Sequence, residues 1–237
     1  MLNLTDLRKT YRVGDVETMA LDGVNLEIKK GEFVAIMGPS GCGKSTLLNI
    51  LGMIDRPSSG KYVLDGIDVS RYSEGKLVGL RKKHLGFVFQ SFNLIDELSV
   101  RDNVALPLLY CGVAHNERKE RVREVLELVG LEARSKHKPA QLSGGQQQRV
   151  AIARAVVNDP KLILADEPTG NLDSKNGREV LDMLHVLHDH GATIIMVTHN
   201  AADASEAERI VNMVDGRVVA EPAPAPVREP RERARIQ

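Results

Sequence analysis

Residues 38–45 read GPSGCGKS, a run whose residue types and spacing suit the gripping of phosphate. Gly38, Gly41 and Gly43 let backbone N–H groups close around an anion with no Cβ in the way. Lys44 puts a point charge on the outer phosphates, and Ser45 offers a hydroxyl to the Mg²⁺ that accompanies them. Pro39, Ser40, Cys42 and Thr46 complete the loop and its exit into a helix, whose positive end points at the bound anion. A second glycine run, LSGGQ at 142–146, opens another predicted helix. There Ser143, Gly144, Gly145 and Gln146 present further N–H groups, so this segment too can hold phosphate. One chain with two phosphate grips suggests that two chains share each nucleotide.

Short apolar runs are spaced to position this chemistry. Phe33–Met37 has the length and composition of a buried strand and runs into the first grip. Lys44 to Leu51 then reads as a helix, with Gly52 as its C-cap. Leu162–Ala165 runs into Asp166 and Glu167, and Thr193–Thr198 runs into His199. Strand-like and helical runs alternate, which predicts an α/β domain with a mainly parallel sheet. Ligands of such sheets sit outside the carboxyl ends of the strands, where all three runs deliver their chemistry.

The middle of the chain reads differently. From about Phe92 to Gln141 it is mainly helical. Ser99-Val100-Arg101-Asp102 is a candidate capping box. Val122, Val125, Leu126 and Val129 form one apolar stripe that Gly130 stops. This predicts a helical subdomain, about residues 91–141, inserted into a nucleotide-binding core. The first 30 residues and residues 60–70 alternate between turns and apolar positions, as a small antiparallel sheet does. Residues 1–220 are expected to form one domain. The remainder, EPAPAPVREPRERARIQ at 221–237, is too poor in large apolar residues to bury a core and reads as an extended or disordered tail.

Bulk composition excludes several classes. Of the 237 residues, 42% are hydrophobic and 27% charged, as in soluble globular domains. Lys+Arg equals Asp+Glu at 32 each, so there is no overall basic footprint of a nucleic-acid binder. No apolar run approaches a membrane span, and the N-terminus has no signal-peptide core. Cys42 and Cys111 do not make a disulfide framework, which fits a reducing cytosol.

With these motifs in hand, the chain resembles the ATP-binding subunit of ABC transporters over about residues 2–220. The resemblance rests on GPSGCGKS, on LSGGQQQRVAIARA at 142–155, on ILADEPTGNLDS at 163–174, on Gln90 after Phe87-Val88-Phe89, and on His199. It implies an ATP hydrolase with ATP and Mg²⁺ as its small molecules. Tyr11 would stack on adenine, while Ser45, Gln90 and Asp166 would hold the metal. Glu167 would activate the attacking water, with His199 and Gln90 as switch residues at the γ-phosphate. Asp173 falls in the loop that contacts the partner. The resemblance also implies a head-to-tail homodimer, in which Ser143, Gly144 and Gly145 of one subunit cover the γ-phosphate held by Lys44 of the other. Integral membrane permease subunits on separate chains would place the protein at the inner, cytoplasmic face of the cell membrane. No nucleic-acid partner is implied.

Read without the resemblance, Tyr11 is equally a strand aromatic packed on the small sheet, and His199 is equally a strand cap. DEPTGNLDS and FNLIDELSVRDNVALPLLY resemble the lipoprotein-releasing and macrolide-exporter group. The cell-division ATPase of the same branch is also similar. The first implies export or extraction of lipoprotein, drug or peptide; the second implies signalling through a membrane partner without transport. Cys42 stands where the family usually has Ser. At a helix N-terminus two residues from Lys44, it is expected to be a reactive thiol that ATP shields.

Overall fold

The structure, a computed structural model, describes residues 1–219, so the tail expected from Glu221 onward lies outside the described residues. In chain order the first elements are β1 (Leu2–Val13), β2 (Val16–Ile28), β3 (Phe33–Met37), α1 (Lys44–Leu51), β4 (Ser59–Leu64) and β5 (Ile67–Asp68). They are followed by α2 (Glu74–His84), β6 (Leu85–Phe89), α3 (Val100–Tyr110), α4 (His115–Leu128) and α5 (Gly144–Val156). The last are β7 (Leu162–Asp166), α6 (Ser174–Asp189), β8 (Thr193–Thr198), α7 (Ala201–Ala204), β9 (Arg209–Val214) and β10 (Arg217–Val219).

These strands form a six-stranded sheet in the order β10-β9-β3-β8-β7-β6 and a four-stranded sheet in the order β2-β1-β4-β5. In the first, β6, β7, β8, β3 and β9 run parallel and only the edge strand β10 is antiparallel. The central strands are apolar throughout because both faces are covered. Val34, Ile36, Leu162, Leu164, Ile195 and Val197 enter one core, shared with Leu47, Leu48, Ile50 and Leu51 of α1 and with the antiparallel sheet. Their sequence neighbours Phe33, Ala35, Ile163, Ala165, Ile194 and Met196 enter a second core, with Val180, Leu181 and Leu184 of α6 and Ile152 and Ala155 of α5. The period of two in the strands therefore sorts the helices onto opposite faces.

The antiparallel sheet is all antiparallel in its pairings, and one irregularity keeps its inner face apolar. Leu2, Leu4 and Leu7 are all buried although Leu4 and Leu7 are three apart. A register shift between them, with Asp6 at φ 45°, absorbs the extra residue.

A third core lies under the helical region. It joins Val100, Val104 and Leu108 of α3 and Val122, Leu126 and Val129 of the expected stripe to Val150, Ala153 and Val157 at and beyond residue 141. Ser99 caps α3, its hydroxyl accepting the Asp102 N–H at 3.3 Å, while the Asp102 carboxylate turns back to that hydroxyl rather than to a backbone N–H. Gly130, at φ 67°, ends α4, and Leu131 N–H then reaches Leu126 O at 2.8 Å.

The segment 91–99 departs from the helical expectation. Phe92 and Asn93 are left-handed, at φ 58° and 51°. The loop is held by side chains instead. The buried Asn103 amide bonds Ile95 N–H at 2.8 Å, Ile95 O at 3.0 Å and Ser99 O at 3.1 Å. Arg154 donates to Phe92 O at 2.7 Å and also to Asn93 O, and burial lowers its pKa from the usual arginine value. Composition cannot reveal such long-range tethers, which override a local helical pattern.

Candidate functional site

Four strands end at one edge of the parallel sheet, in register. Met37 pairs Thr198, Asp166 pairs Val197, and Phe89 pairs Asp166. The next residues along these strands carry the chemistry: the 38–45 loop after β3, Gln90 after β6, Glu167 after β7 and His199 after β8. The register of the sheet, rather than any local motif, gathers these side chains.

The first grip is a closed loop feeding α1. Gly43 caps the helix at φ 100°, and a Cβ there would meet Ala20 O at 2.4 Å, so no other residue fits. Lys44 is 7% exposed. Its Nζ donates to Gly38 O at 2.9 Å and Pro39 O at 2.8 Å, folding the charge back over the loop. The ammonium is thus hydrogen-bonded and ready to change partners when phosphate enters. Ser45 is exposed and Thr46 half-buried at the mouth.

Glu167 is held in a left-handed conformation at φ 43°, uncommon for a residue with a side chain. Its N–H bonds Val197 O at 2.9 Å and its C=O accepts from Gly170 N–H at 3.0 Å. Its Oε1 lies 2.9 Å from His199 Nδ1. An ionised carboxylate only accepts, so Nδ1 carries the proton and Nε2 faces away from it. Asp166 is half-buried beside this pair. Burial, then the neighbouring charge of Glu167, raises its pKa above the ordinary carboxylate value, with Lys44 pulling the other way. Two acidic side chains this close favour a cation between themselves and an incoming phosphate.

The loop from Glu167 to Asp173 is tied on every side. Gln148 of α5 donates to Pro168 O at 2.6 Å. Thr169 donates to Asp203 of α7. Asn171 Nδ2 donates to Gln90 O at 3.0 Å, and Gln90 Nε2 donates to Asn171 Oδ1 at 3.3 Å. Asp173 caps α6, accepting Asn176 N–H at 2.8 Å and Asn176 Nδ2 at 2.7 Å. These bonds, the backbone one first, hold its carboxyl below the usual carboxylate range. Gln148, Asn171 and Asp203 are additions to the sequence reading. A signal for Gln148 existed: it is a polar residue on the same face of α5 as buried Gly145, Ile152 and Ala155.

The second grip opens α5. Ser143 is its N-cap in a reciprocal capping box: Ser143 Oγ accepts Gln146 N–H at 3.3 Å and Gln146 Oε1 accepts Ser143 N–H at 3.0 Å. The Gln146 side chain is therefore occupied by its own helix in the single chain. Gly145 seats α5 on α6, where a Cβ would stand 2.0 Å from Asn176 Oδ1. The helices that carry the two grips, α1 and α5, pack on opposite faces of the parallel sheet.

Tyr11 stands on β1 at the rim, 38% exposed, and is not a packed core aromatic. Its hydroxyl donates to Asp55 Oδ2 at 2.8 Å, and Lys9 Nζ sits 4.7 Å from its ring centroid while bonding Asp55 Oδ1 at 2.7 Å. One ring face is thus covered by a cation. Burial first, and then the Asp55 bond, raise the Tyr11 pKa above the ordinary phenol value, with the nearby Thr46 hydroxyl opposing them.

Cys42 departs from expectation. It is 3% exposed, packed in the α1 core, so reagent access is closed whatever the helix does for the thiolate. Cys111 is the exposed thiol, with Sγ donating to Lys82 O at 3.5 Å. Maleimide is therefore expected to label Cys111 first, and Cys42 only after local opening. Mass spectrometry of a labelling time course checks this; equal initial rates at the two thiols would contradict the burial.

Among the described residues, no group of three His, Cys, Asp or Glu can hold a metal by itself, and no helix is long and apolar enough to cross a membrane. Residues 21–170 match the ABC transporter family. The chain is 53% identical over 218 residues to an uncharacterised ABC transporter ATP-binding protein of Thermotoga maritima, covering 92% of this chain and 93% of that one. It is 54% identical over 219 residues to the macrolide export ATP-binding/permease protein MacB of Chlorobaculum tepidum, covering 92% of this chain. It spans only 34% of the length of that relative. Among solved structures, the dimeric ATP-binding cassette MJ0796 in a post-hydrolysis state bound to ADP and Pi superposes with a TM-score of 0.87 at 47% identity, covering 94% of this chain and 98% of that one.

Proposed function

The chain belongs to the ABC transporter family of ATP-binding proteins, and from that premise we propose that two copies close head to tail around ATP, hydrolyse it, and so drive a separate membrane permease. The observation that carries the reading is the in-register delivery of the Lys44 loop, Gln90, Asp166–Glu167 and His199 to one sheet edge. The two grips lie on opposite faces of that sheet, which supports a partner's Ser143–Gly145 as the cover for the phosphates held by Lys44. Tyr11, 38% exposed at the rim and held by Lys9 and Asp55, is the stacking partner for adenine. The loop around Cys42, from Gly38 to Thr46, takes the phosphate chain.

Glu167 Oε1 is anchored by His199, so its other oxygen is the one to take a proton from the attacking water. His199 then reaches the γ-phosphate through Nε2, which must carry a proton as well as Nδ1, so that the ring donates to Glu167 on one side and to phosphate on the other. Ser45, Gln90 and Asp166 are all oxygen donors suited to Mg²⁺, and they complete its shell only together with the phosphates. When bound, Mg²⁺ neutralises charge building on the transferred phosphoryl group. Asp173, at the head of α6, lies in the loop that meets the partner. Loss of γ-phosphate removes what joins the subunits, so closure is a two-state element set by the nucleotide.

The relatives named macrolide export ATP-binding/permease protein support a transporter of exporter type, moving drug, peptide or lipoprotein, and a site of action at the cytoplasmic face of a membrane. Leu109 and Tyr110 at the end of α3 are 53% and 68% exposed and are the proposed permease contact. The tagged chain is expected to retain a multi-span protein from detergent-solubilised membranes. A Leu109→Glu/Tyr110→Glu variant should lose it and keep the ATPase of the isolated chain. A variant that still retains the partner contradicts this contact. Recovery of no membrane protein at all contradicts the permease reading.

A further inference from the structure

We infer that Gln148 is a positioning residue for Glu167, coupling the helix that grips one nucleotide to the carboxylate that serves the other. The inference rests on the dimeric reading above. Gln148 is fully buried between α5 and the loop after β7. Its Nε2 donates to Pro168 O at 2.6 Å, and its Oε1 is buried without a hydrogen-bond partner among the described residues. The amide cannot be turned round, because that would set two oxygens against each other. The arrangement pairs one buried carbonyl and strands one buried oxygen. An apolar side chain of the same volume would strand Pro168 O instead, so the amide gains nothing in the number of paired groups. What it does gain is a fixed place for Pro168.

That place matters because of the residue before it. Glu167 sits at φ 43° and stays there only if its surroundings hold it. Three bonds do so: Val197 O to its N–H, Gly170 N–H to its C=O, and Gln148 to the next carbonyl. The first two belong to the sheet and to the loop itself. Gln148 alone comes from α5, the helix opened by Ser143–Gly145. Gly145 is pressed against Asn176, so α5 is seated firmly and a shift at its N-terminus is carried along its length to Gln148. The arrival of the partner's γ-phosphate at α5 is therefore felt at Glu167 of the same chain.

Gln148→Met keeps the volume and removes the donor. It is expected to lower kcat at least about tenfold, leave the ATP dissociation constant within about twofold, and keep the melting temperature within about 2 °C. Gln148→Glu keeps the shape but donates only when protonated. Its kcat should rise as pH is lowered from about 8 to about 6, opposite to any purely structural defect, because a buried carboxyl titrates high. Combining Gln148→Met with Glu167→Gln should be no slower than Glu167→Gln alone, as expected of residues acting through one group. Parental kcat in Gln148→Met, a parental pH profile in Gln148→Glu, or loss of kcat only alongside a lowered melting temperature each overturns the inference. If Glu167→Gln itself keeps parental turnover, the proposed base falls. If Glu167→Gln loses turnover and Gln148→Met does not, only the coupling falls.

Discussion

Glu167→Gln is expected to bind ATP as the parent does and to hydrolyse it about 10²–10⁴-fold more slowly, the usual range for removal of a positioned general base. The geometry makes this a clean substitution. The amide has the shape of the carboxylate, and its oxygen still accepts from His199 Nδ1, now 2.9 Å from Oε1. The left-handed backbone of Glu167 is fixed by Val197 O, Gly170 N–H and the Gln148 bond to Pro168, none of which involves the side chain. Lys44 and the loop carbonyls it bridges are untouched. Binding and closure therefore remain while proton removal from water is lost. With ATP and Mg²⁺ the variant should run as a dimer in gel filtration, and with ADP as a monomer. A parental rate of phosphate release would remove Glu167 from the mechanism, whatever the oligomeric state.

Much of this site was legible before the fold because its chemistry is written in contiguous residues. GPSGCGKS, LSGGQ and the Asp166–Glu167 pair each carry their own local requirement: close backbone approach, a helix start, a strand end. Alternation of apolar and helical runs was enough to predict a mainly parallel sheet and three of its buried strands, Phe33–Met37, Leu162–Ala165 and Thr193–Thr198, but not β6 or β9. The less legible parts depend on contacts far apart in sequence. Nothing near Gln90 announces Asn171, 81 residues away. Nothing near residue 93 announces Arg154, which turns a helical-looking segment into a tethered loop. Cys42 departs from expectation for the same reason: helix position is a local property, whereas burial is set by Leu21, Met213 and the rest of a distant core. Gln148 lies within LSGGQQQRVAIARA, where the helical period sets it on the buried face apart from Gln146 and Gln147, but its partner Pro168 O is 20 residues away.

Lys44→Ala is expected to weaken ATP binding on the order of 10²-fold, since a charge-assisted phosphate contact contributes about 2–3 kcal/mol. The loss has two sources here. The phosphates lose their ammonium, and in the empty loop Gly38 O and Pro39 O lose the donor that bridges them at 2.9 and 2.8 Å. The loop then has no reason to keep its closed form before the nucleotide arrives. Lys44→Arg is not expected to rescue binding. A planar guanidinium fork cannot take the place of a compact ammonium that bridges Gly38 O and Pro39 O. Thermal unfolding with and without ATP measures the effect directly. A nucleotide at about 100 times the parental dissociation constant stabilises the parent by about 2.7 kcal/mol. A variant binding about 100-fold more weakly gains only about 0.4 kcal/mol from the same concentration. The ATP-dependent shift in melting temperature should therefore nearly vanish in Lys44→Ala and persist in Glu167→Gln. A full shift in Lys44→Ala would mean that the backbone N–H groups of the loop hold the phosphates without the charge, and that the ammonium serves only to close the empty site.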